Sequence, residues 1–235
     1  MNRLARRLAP LCLPLALVAC DAGPVTTLDL SGALPDDARL VAIGDSIFDW
    51  NVEGGRSAPD VAGAALGVSM DNLAVGGAEV LGGFAPIPEQ YEDDDWAWLV
   101  MAGGGNDLND RCACGQCDDV MDALIEPDGL GGAIPEFAGA VADSGVQVLV
   151  MGYHEVPDDA EFGFDRCDDE LEVLRERERR MGESIEGVHF LDMTLHIKAH
   201  QTDRYDDDRV HPSVEGSRIM GEEIARAIAE AARGE

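Results

Sequence analysis

Three short apolar runs, each closing on a glycine-bearing turn, restrict the fold of this chain more than any other feature. Leu40-Val41-Ala42-Ile43 leads into Gly44-Asp45-Ser46, the stretch from Trp96 to Ala102 leads into Gly103-Gly104-Gly105-Asn106-Asp107, and Val146 to Met151 leads into Gly152. Successive side chains of a strand point to opposite faces, so a continuous apolar run predicts a strand buried on both sides. Such burial arises where crossover helices cover both faces of a parallel sheet. Two weaker runs, Val68 to Ala74 and Val188 to Asp192, complete five candidate strands. Helical stretches fall between and after them at 59–66, near 118–126, and at 133–143, 168–186 and 213–232. Leu171, Leu174, Met181 and Ile185 recur at helical spacing in one of these, and Ile219, Met220, Ile224 and Ile228 do so in the last. Strands alternating with helices predict a three-layer α/β/α domain with right-handed crossovers.

The first nineteen residues have the pattern of a targeting segment. Arg3, Arg6 and Arg7 precede the apolar stretch Leu8 to Val18, which Pro10 and Pro14 interrupt. It is shorter than the roughly 20 apolar residues of a permanent membrane helix. Its end, Leu17-Val18-Ala19-Cys20, resembles the lipobox of bacterial lipoproteins, in which the cysteine is lipidated and becomes the mature N-terminus. An ordinary secretory signal containing Cys20 is the alternative, and either reading takes the chain out of the cytoplasm. Residues 1–19 are thus expected to be a signal peptide, 20–37 a lipidated N-terminus and tether, and 38–235 one domain, since 235 residues with 46% hydrophobic content suit a single core. The formal net charge of −30 repels nucleic acid and anionic head groups. The expected product is an exported periplasmic or cell-envelope monomer that meets the membrane only through its lipid.

Ser46, carried to the carboxyl end of a strand, lies where open α/β sheets bind ligands. Close to the C-terminus stands Asp208-Arg209-Val210-His211-Pro212, directly before the last helix. A serine hydroxyl needs a base to become a nucleophile, an imidazole can serve, and a carboxylate can fix its tautomer. Gly44-Asp45-Ser46, then Asn72 with Gly77, then Gly105-Asn106-Asp107, then Asp208-x-x-His211-Pro212 stand in the order and approximate spacing of the SGNH (GDSL-type) hydrolases, which the chain resembles over nearly the whole domain. The resemblance implies a flavodoxin-like sheet of five parallel strands, Ser46 as nucleophile, His211 as base and Asp208 as its orienting acid. It further implies an oxyanion hole built from Ser46, Gly77 and Asn106, and no cofactor. Two departures stand out: Trp50 occupies a position where the family often has glycine, and Gly76 beside Gly77 leaves the register open. Asp45 and Asp107 are expected to brace loops.

The implied activity is a serine esterase acting on a small-molecule or glycan ester. Three Trp, three Tyr and six Phe, with no long apolar lid, favour short acyl groups; acetylated sugars, short-chain esters and thioesters all fit. An envelope polysaccharide O-acyltransferase and a silent glycan-binding module are the alternatives. Cys112, Cys114, Cys117 and Cys167 form an even set that points to two disulfides in an exported protein, with three pairings open. One bridge is expected to tie the 112–117 loop to Cys167. The competing reading is a zinc thiolate site. His196 and His200 have a metal-ligand spacing but lack the intervening glutamate of zinc proteases, and no metal is expected there. His154 is expected at the functional edge of the sheet and His189 inside the fifth strand.

Overall fold

The computed structural model describes residues 28–234, in which the apolar runs lie side by side as one all-parallel sheet. Its strands are β1 (Arg39–Ile43), β2 (Ser69–Asn72), β3 (Trp98–Met101), β4 (Gln147–Gly152) and β5 (Val188–Asp192), in the order β2-β1-β3-β4-β5. Leu40 to Ile43, Trp98 to Met101 and Val148 to Gly152 are buried without interruption, so both faces of the central strands are covered. Each buried Leu, Ile or Val side chain contributes about 1.5–3 kcal/mol relative to an exposed one.

The helices are α1 (Ser46–Asp49), α2 (Ala58–Leu66), α3 (Gly105–Cys112), α4 (Asp118–Leu124), α5 (Ala133–Asp143), α6 (Asp168–Ser184) and α7 (Val214–Ala232). Helix α2 starts at a reciprocal Ser57–Asp60 capping box and packs along α7. That approach depends on Gly221, where a Cβ would sit 2.5 Å from the Ala58 carbonyl oxygen and from Val61 Cβ. Helices α5 and α6 pack against β4 and β5. This is the expected flavodoxin-like α/β arrangement with a five-stranded parallel sheet. Two helices, α1 and α3, lie where the sequence suggested loops. Both are short and begin at the ends of β1 and β3, and neither carries an extended apolar stripe.

Strand order reverses between β1 and β3, because the chain passes from β1 outward to β2 and then returns to the other side of β1. The crevice at such a switch point, outside the carboxyl ends of the strands, is where doubly wound sheets bind ligands. Ser46 and Asn106 follow the two strands that border it.

The signal segment, Cys20 and the first part of the tether lie outside the described residues. Residues 28–37, expected as tether, lie against the domain: Leu34 is buried, Leu28 and Leu30 pack on the core, and the Leu30 N–H donates to Ala65 O at 2.7 Å. Contact with the domain therefore starts ahead of the expected boundary at residue 38. Among the described residues, no helix is long and apolar enough to cross a membrane.

Candidate active site

Gly44 allows the close packing that aims Ser46. A Cβ there would meet Ala102 O at 2.8 Å. Its backbone is held by one side chain, since Gly44 N–H donates to Gln90 Oε1 at 2.8 Å and Gln90 Nε2 donates to Gly44 O at 2.9 Å. Asp45 then caps α1, accepting from Ile47 N–H at 2.9 Å, and also accepts the Tyr153 hydroxyl. The same Tyr153 oxygen accepts the Gly105 N–H at 3.1 Å, so one phenol joins the Ser46 turn to the Asn106 turn. Burial raises the Asp45 carboxyl above the ordinary carboxylate range, against the pull of its Tyr153 and Ile47 hydrogen bonds. Burial, followed by the Asp45 charge, pushes the Tyr153 phenol well up, which keeps it protonated as a donor. Ser46 is the first residue of α1, where a backbone N–H has no partner inside the helix.

His211 arrives from the far end of the sequence and is 8% exposed. Its Nδ1 lies 2.7 Å from Asp208 Oδ2 and its Nε2 lies 2.8 Å from Ser46 Oγ. An ionised carboxylate only accepts, so Nδ1 carries the proton, and the bare Nε2 accepts from the serine hydroxyl. Asp208 also accepts the Val210 and His211 N–H groups, both at 2.9 Å. Burial pushes its carboxyl up, but the bond from the His211 ring and the two backbone N–H groups outweigh this and hold it below the usual range. The indole of Trp50 stacks on the His211 ring, with centroids 3.9 Å apart and planes 6° from parallel. Phe162 stands 6.2 Å from the same ring and is 64% exposed.

Donors for a developing oxyanion come from three loops. Asn106 gives one amide hydrogen to Ala78 O at 2.9 Å and retains a second. Gly77 adopts φ +76°, and among the described residues its N–H meets no acceptor, whereas the Gly76 N–H is engaged by Asp49 Oδ2 at 3.1 Å. The geometry thus favours Gly77 over its neighbour as a donor. Asp107 is fully buried and accepts the Val80 and Leu81 N–H groups, both at 2.8 Å, fastening this loop to α3. Burial raises its carboxyl as well. Asn72 braces the end of α1 by donating to Phe48 O at 2.8 Å. Asp45 and Asp107 are therefore loop braces, as expected.

The cysteines form Cys112–Cys117 and Cys114–Cys167 bridges, so one bond does tie the 112–117 loop to Cys167. The four thiolates that the zinc reading requires are consumed in these bonds. Segment 196–200 is not helical, so His196 and His200 share no helix face, and His196 faces Glu223 at 3.6 Å. His189 bonds Gln147 inside the sheet. His154 is buried, which lowers its imidazole to about 4, and its neutral ring donates through Nδ1 to Glu155 O at 2.9 Å. It lines a small apolar cavity of ≈ 20 Å³ together with Ser46, Asn106, Ile47, Phe164 and Val210. Larger clefts lie elsewhere; one of ≈ 490 Å³ along α6 is lined by carboxylates and arginines, with no serine–histidine pair. Trp50 stood out in the sequence only as a departure, and the contacts of Tyr153, Gln90 and Phe162 had no local signal.

Residues 42–219 match the GDSL-like Lipase/Acylhydrolase family. No curated protein sequence matches the chain. Among solved structures, a member of the lipolytic protein G-D-S-L family from Veillonella parvula DSM 2008 aligns with TM-score 0.57 at 18% identity, over 80% of this chain and 97% of that one. The extracellular lipase of Streptomyces rimosus aligns with TM-score 0.55 at 15% identity, over 81% and 99%. A carbohydrate esterase family 2 enzyme from Corynascus (Myceliophthora fergusii) aligns with TM-score 0.57 at 18% identity, over 84% of this chain and 67% of that one. These likenesses are of fold, and the family match spans most of the domain that bears the Ser46, Asn106 and His211 loops. The chain belongs to the GDSL-like lipase/acylhydrolase (SGNH) family of serine ester hydrolases.

Proposed function

We propose that this hydrolase removes short acyl groups, acetyl above all, from sugar hydroxyls through an acyl-enzyme on Ser46. The observation that carries the reading is the unbroken relay from Ser46 Oγ through the His211 ring to Asp208. As Ser46 Oγ bonds to the ester carbonyl carbon, its proton passes to His211 Nε2, and Asp208 offsets the imidazolium charge. The carbonyl oxygen becomes an oxyanion, for which the Ser46 and Gly77 N–H groups and the free Asn106 amide hydrogen are the donors. Collapse of this intermediate breaks the bond to the alcohol oxygen, which leaves with the proton from Nε2. Water then repeats the sequence with His211 as base, and releases the acid and the serine.

Two features support this substrate. The apolar cavity beside Ser46 has room for about one water-sized group, comparable to an acetyl methyl. Across the site, the exposed Phe162 ring offers a face for the C–H side of a sugar, and the exposed carboxylates of Glu161, Asp206 and Asp207 can accept from its hydroxyls. The acid excess disfavours anionic lipid head groups and nucleic acid as partners. We further propose export, a lipid anchor at Cys20 and action as a monomer at the cell envelope, where oxidising conditions suit the two bridges.

The test is turnover of p-nitrophenyl esters of increasing chain length and of acetylated sugars, with fluorophosphonate labelling of wild type and Ser46→Ala. The reading expects labelling and acetate turnover in wild type alone, falling steeply beyond short chains. A wild type that neither labels nor turns over would be the silent module, and a transfer product in the presence of free sugar would mark an acyltransferase.

A further inference from the structure

We propose that Trp50 is a positioning residue for His211, and that its indole face interacts more strongly with the ring once that ring has taken the serine proton. The proposal rests on the serine-esterase reading above. The other ring pairs among the described residues lie 5.2 Å or more apart and none is parallel, whereas Trp50 and His211 lie 3.9 Å apart with nearly parallel planes.

The stack belongs to a closed circuit of contacts. Trp50 Nε1 donates to Asp206 Oδ2 at 2.8 Å, and the Asp206 N–H donates to the His211 carbonyl oxygen at 2.8 Å. The indole is therefore oriented by a residue that is itself fixed to the histidine. The next residue, Asn51, holds a positive φ of 62° and donates to Pro212 O at 2.9 Å and to Ser217 Oγ at 3.0 Å. Thus the two residues that leave the nucleophile helix both grip the histidine segment. Trp50 bears on the face of the His211 ring, while Asp208 and Ser46 hold its two edge nitrogens. An aliphatic side chain could also cover the ring, but it would supply neither a flat face nor an N–H aimed at Asp206.

The chemistry adds a directional effect. An aromatic face is the negative end of the ring quadrupole and attracts a cation laid over it. His211 is neutral before attack and cationic in the transition state, so the attraction grows as the barrier is climbed and acts on kcat more than on KM. The charged and titratable groups acting on this ring are Asp208 from its own segment, Asp45 from the start of α1 and His154 from the end of β4, with Asp206 held on the indole N–H. All of them remain in a Trp50 variant.

Trp50→Leu removes the face and keeps apolar bulk, whereas Trp50→Phe keeps a face and loses the N–H. On an acetyl ester, kcat of the leucine variant should fall about 5- to 30-fold, the range of a partly desolvated cation–π contact, with KM within about twofold. The phenylalanine variant should recover most of the loss. An independent readout is tryptophan emission against pH. Protonation of His211 should quench Trp50, with a transition that is absent from both Trp50→Phe and His211→Gln while Trp96 and Trp98 still emit. A leucine variant with wild-type kcat, a loss confined to KM, a phenylalanine variant as slow as the leucine one, or an emission titration that is the same in wild type, Trp50→Phe and His211→Gln would each overturn the proposal. If Trp50→Leu does not fold by circular dichroism, Trp50→Met takes its place. If wild type neither labels with fluorophosphonate nor turns over, the esterase reading fails instead, and the emission titration still decides whether the stack exists.

Discussion

Glu178 offers a quantitative test of how the core under α6 is built. It is 1% exposed, among the described residues its Oε2 meets no hydrogen-bond partner, and burial pushes its carboxyl from the ordinary 4.5 to about 8, with Arg175 drawing it down and Asp192 driving it up. Between these two values the folded protein therefore holds a proton here that the unfolded chain has already released. Stability from the neutral acid is complete below about 4.5 and is lost as pH rises through about 8. At about 1.4 kcal/mol for each pH unit, the full loss is roughly 5 kcal/mol, a large share of the 5–15 kcal/mol that stabilises a typical domain. Glu178→Gln keeps a neutral side chain of the same shape and removes the titration. Urea unfolding of both proteins, with disulfides intact, at pH 5, 6, 7 and 8.5 measures the difference. His154, whose imidazole is lowered to about 4, imposes the opposite trend in acid, but it is common to both proteins and cancels. The stability of the variant relative to wild type should climb through this range by several kcal/mol. A relative stability that stays level, with less than about 1 kcal/mol of change between pH 5 and 8.5, would mean that Glu178 is ionised in the fold and that the reasoning is wrong.

Other consequences follow from the site and its supports. Asn106→Ala should cut kcat on acetyl esters by about 100- to 1000-fold through loss of an oxyanion donor, with little change in KM, as steady-state kinetics would show. Phe162→Ala should raise KM for an acetylated sugar several-fold, roughly the 1 kcal/mol of a lost aromatic contact, while p-nitrophenyl acetate turnover holds; parallel assays separate the two. The Cys114–Cys167 bridge spans 53 residues, so Cys114→Ser with Cys167→Ser should cost about 4 kcal/mol of stability by the loop-closure argument. Thermal unfolding with and without reductant checks it, because reductant should affect wild type far more than the double variant.

What could be read from the sequence depended on how local each signal was. Leu40 to Ile43 announced a buried strand because the pattern is continuous, and the residues just past such a strand belong at the ligand edge whatever the remaining fold. Ser46 and Asn106 were legible for that reason, each just past such a strand, and His211 because Asp208-x-x-His211-Pro212 directly precedes the last helix. Helix α3 was not, since Asn106-Asp107-Leu108-Asn109-Asp110 has poor helical propensity, and its start is held by the long-range bonds of Asp107 to Val80 and Leu81. Tyr153 carries no local signal because its partners, Asp45 and Gly105, are far away in sequence. The role of Phe162 is equally hidden, as its position beside His211 depends on a turn that Glu161 joins to Asp208 by a backbone bond of 2.9 Å. Residues 28–37 were read as tether because Gly, Pro and Asp mask the leucines that dock there.

The two reacting groups, Ser46 and His211, are separated by 165 positions along the chain. During synthesis the nucleophile therefore emerges long before its base, and any product that stops short of residue 211 lacks the group that activates Ser46. The relay thus works as a checksum on completion: esterolysis starts only after the last segment has docked beside the first strand. A folding lesion almost anywhere between those two points should silence turnover before it removes bulk helicity.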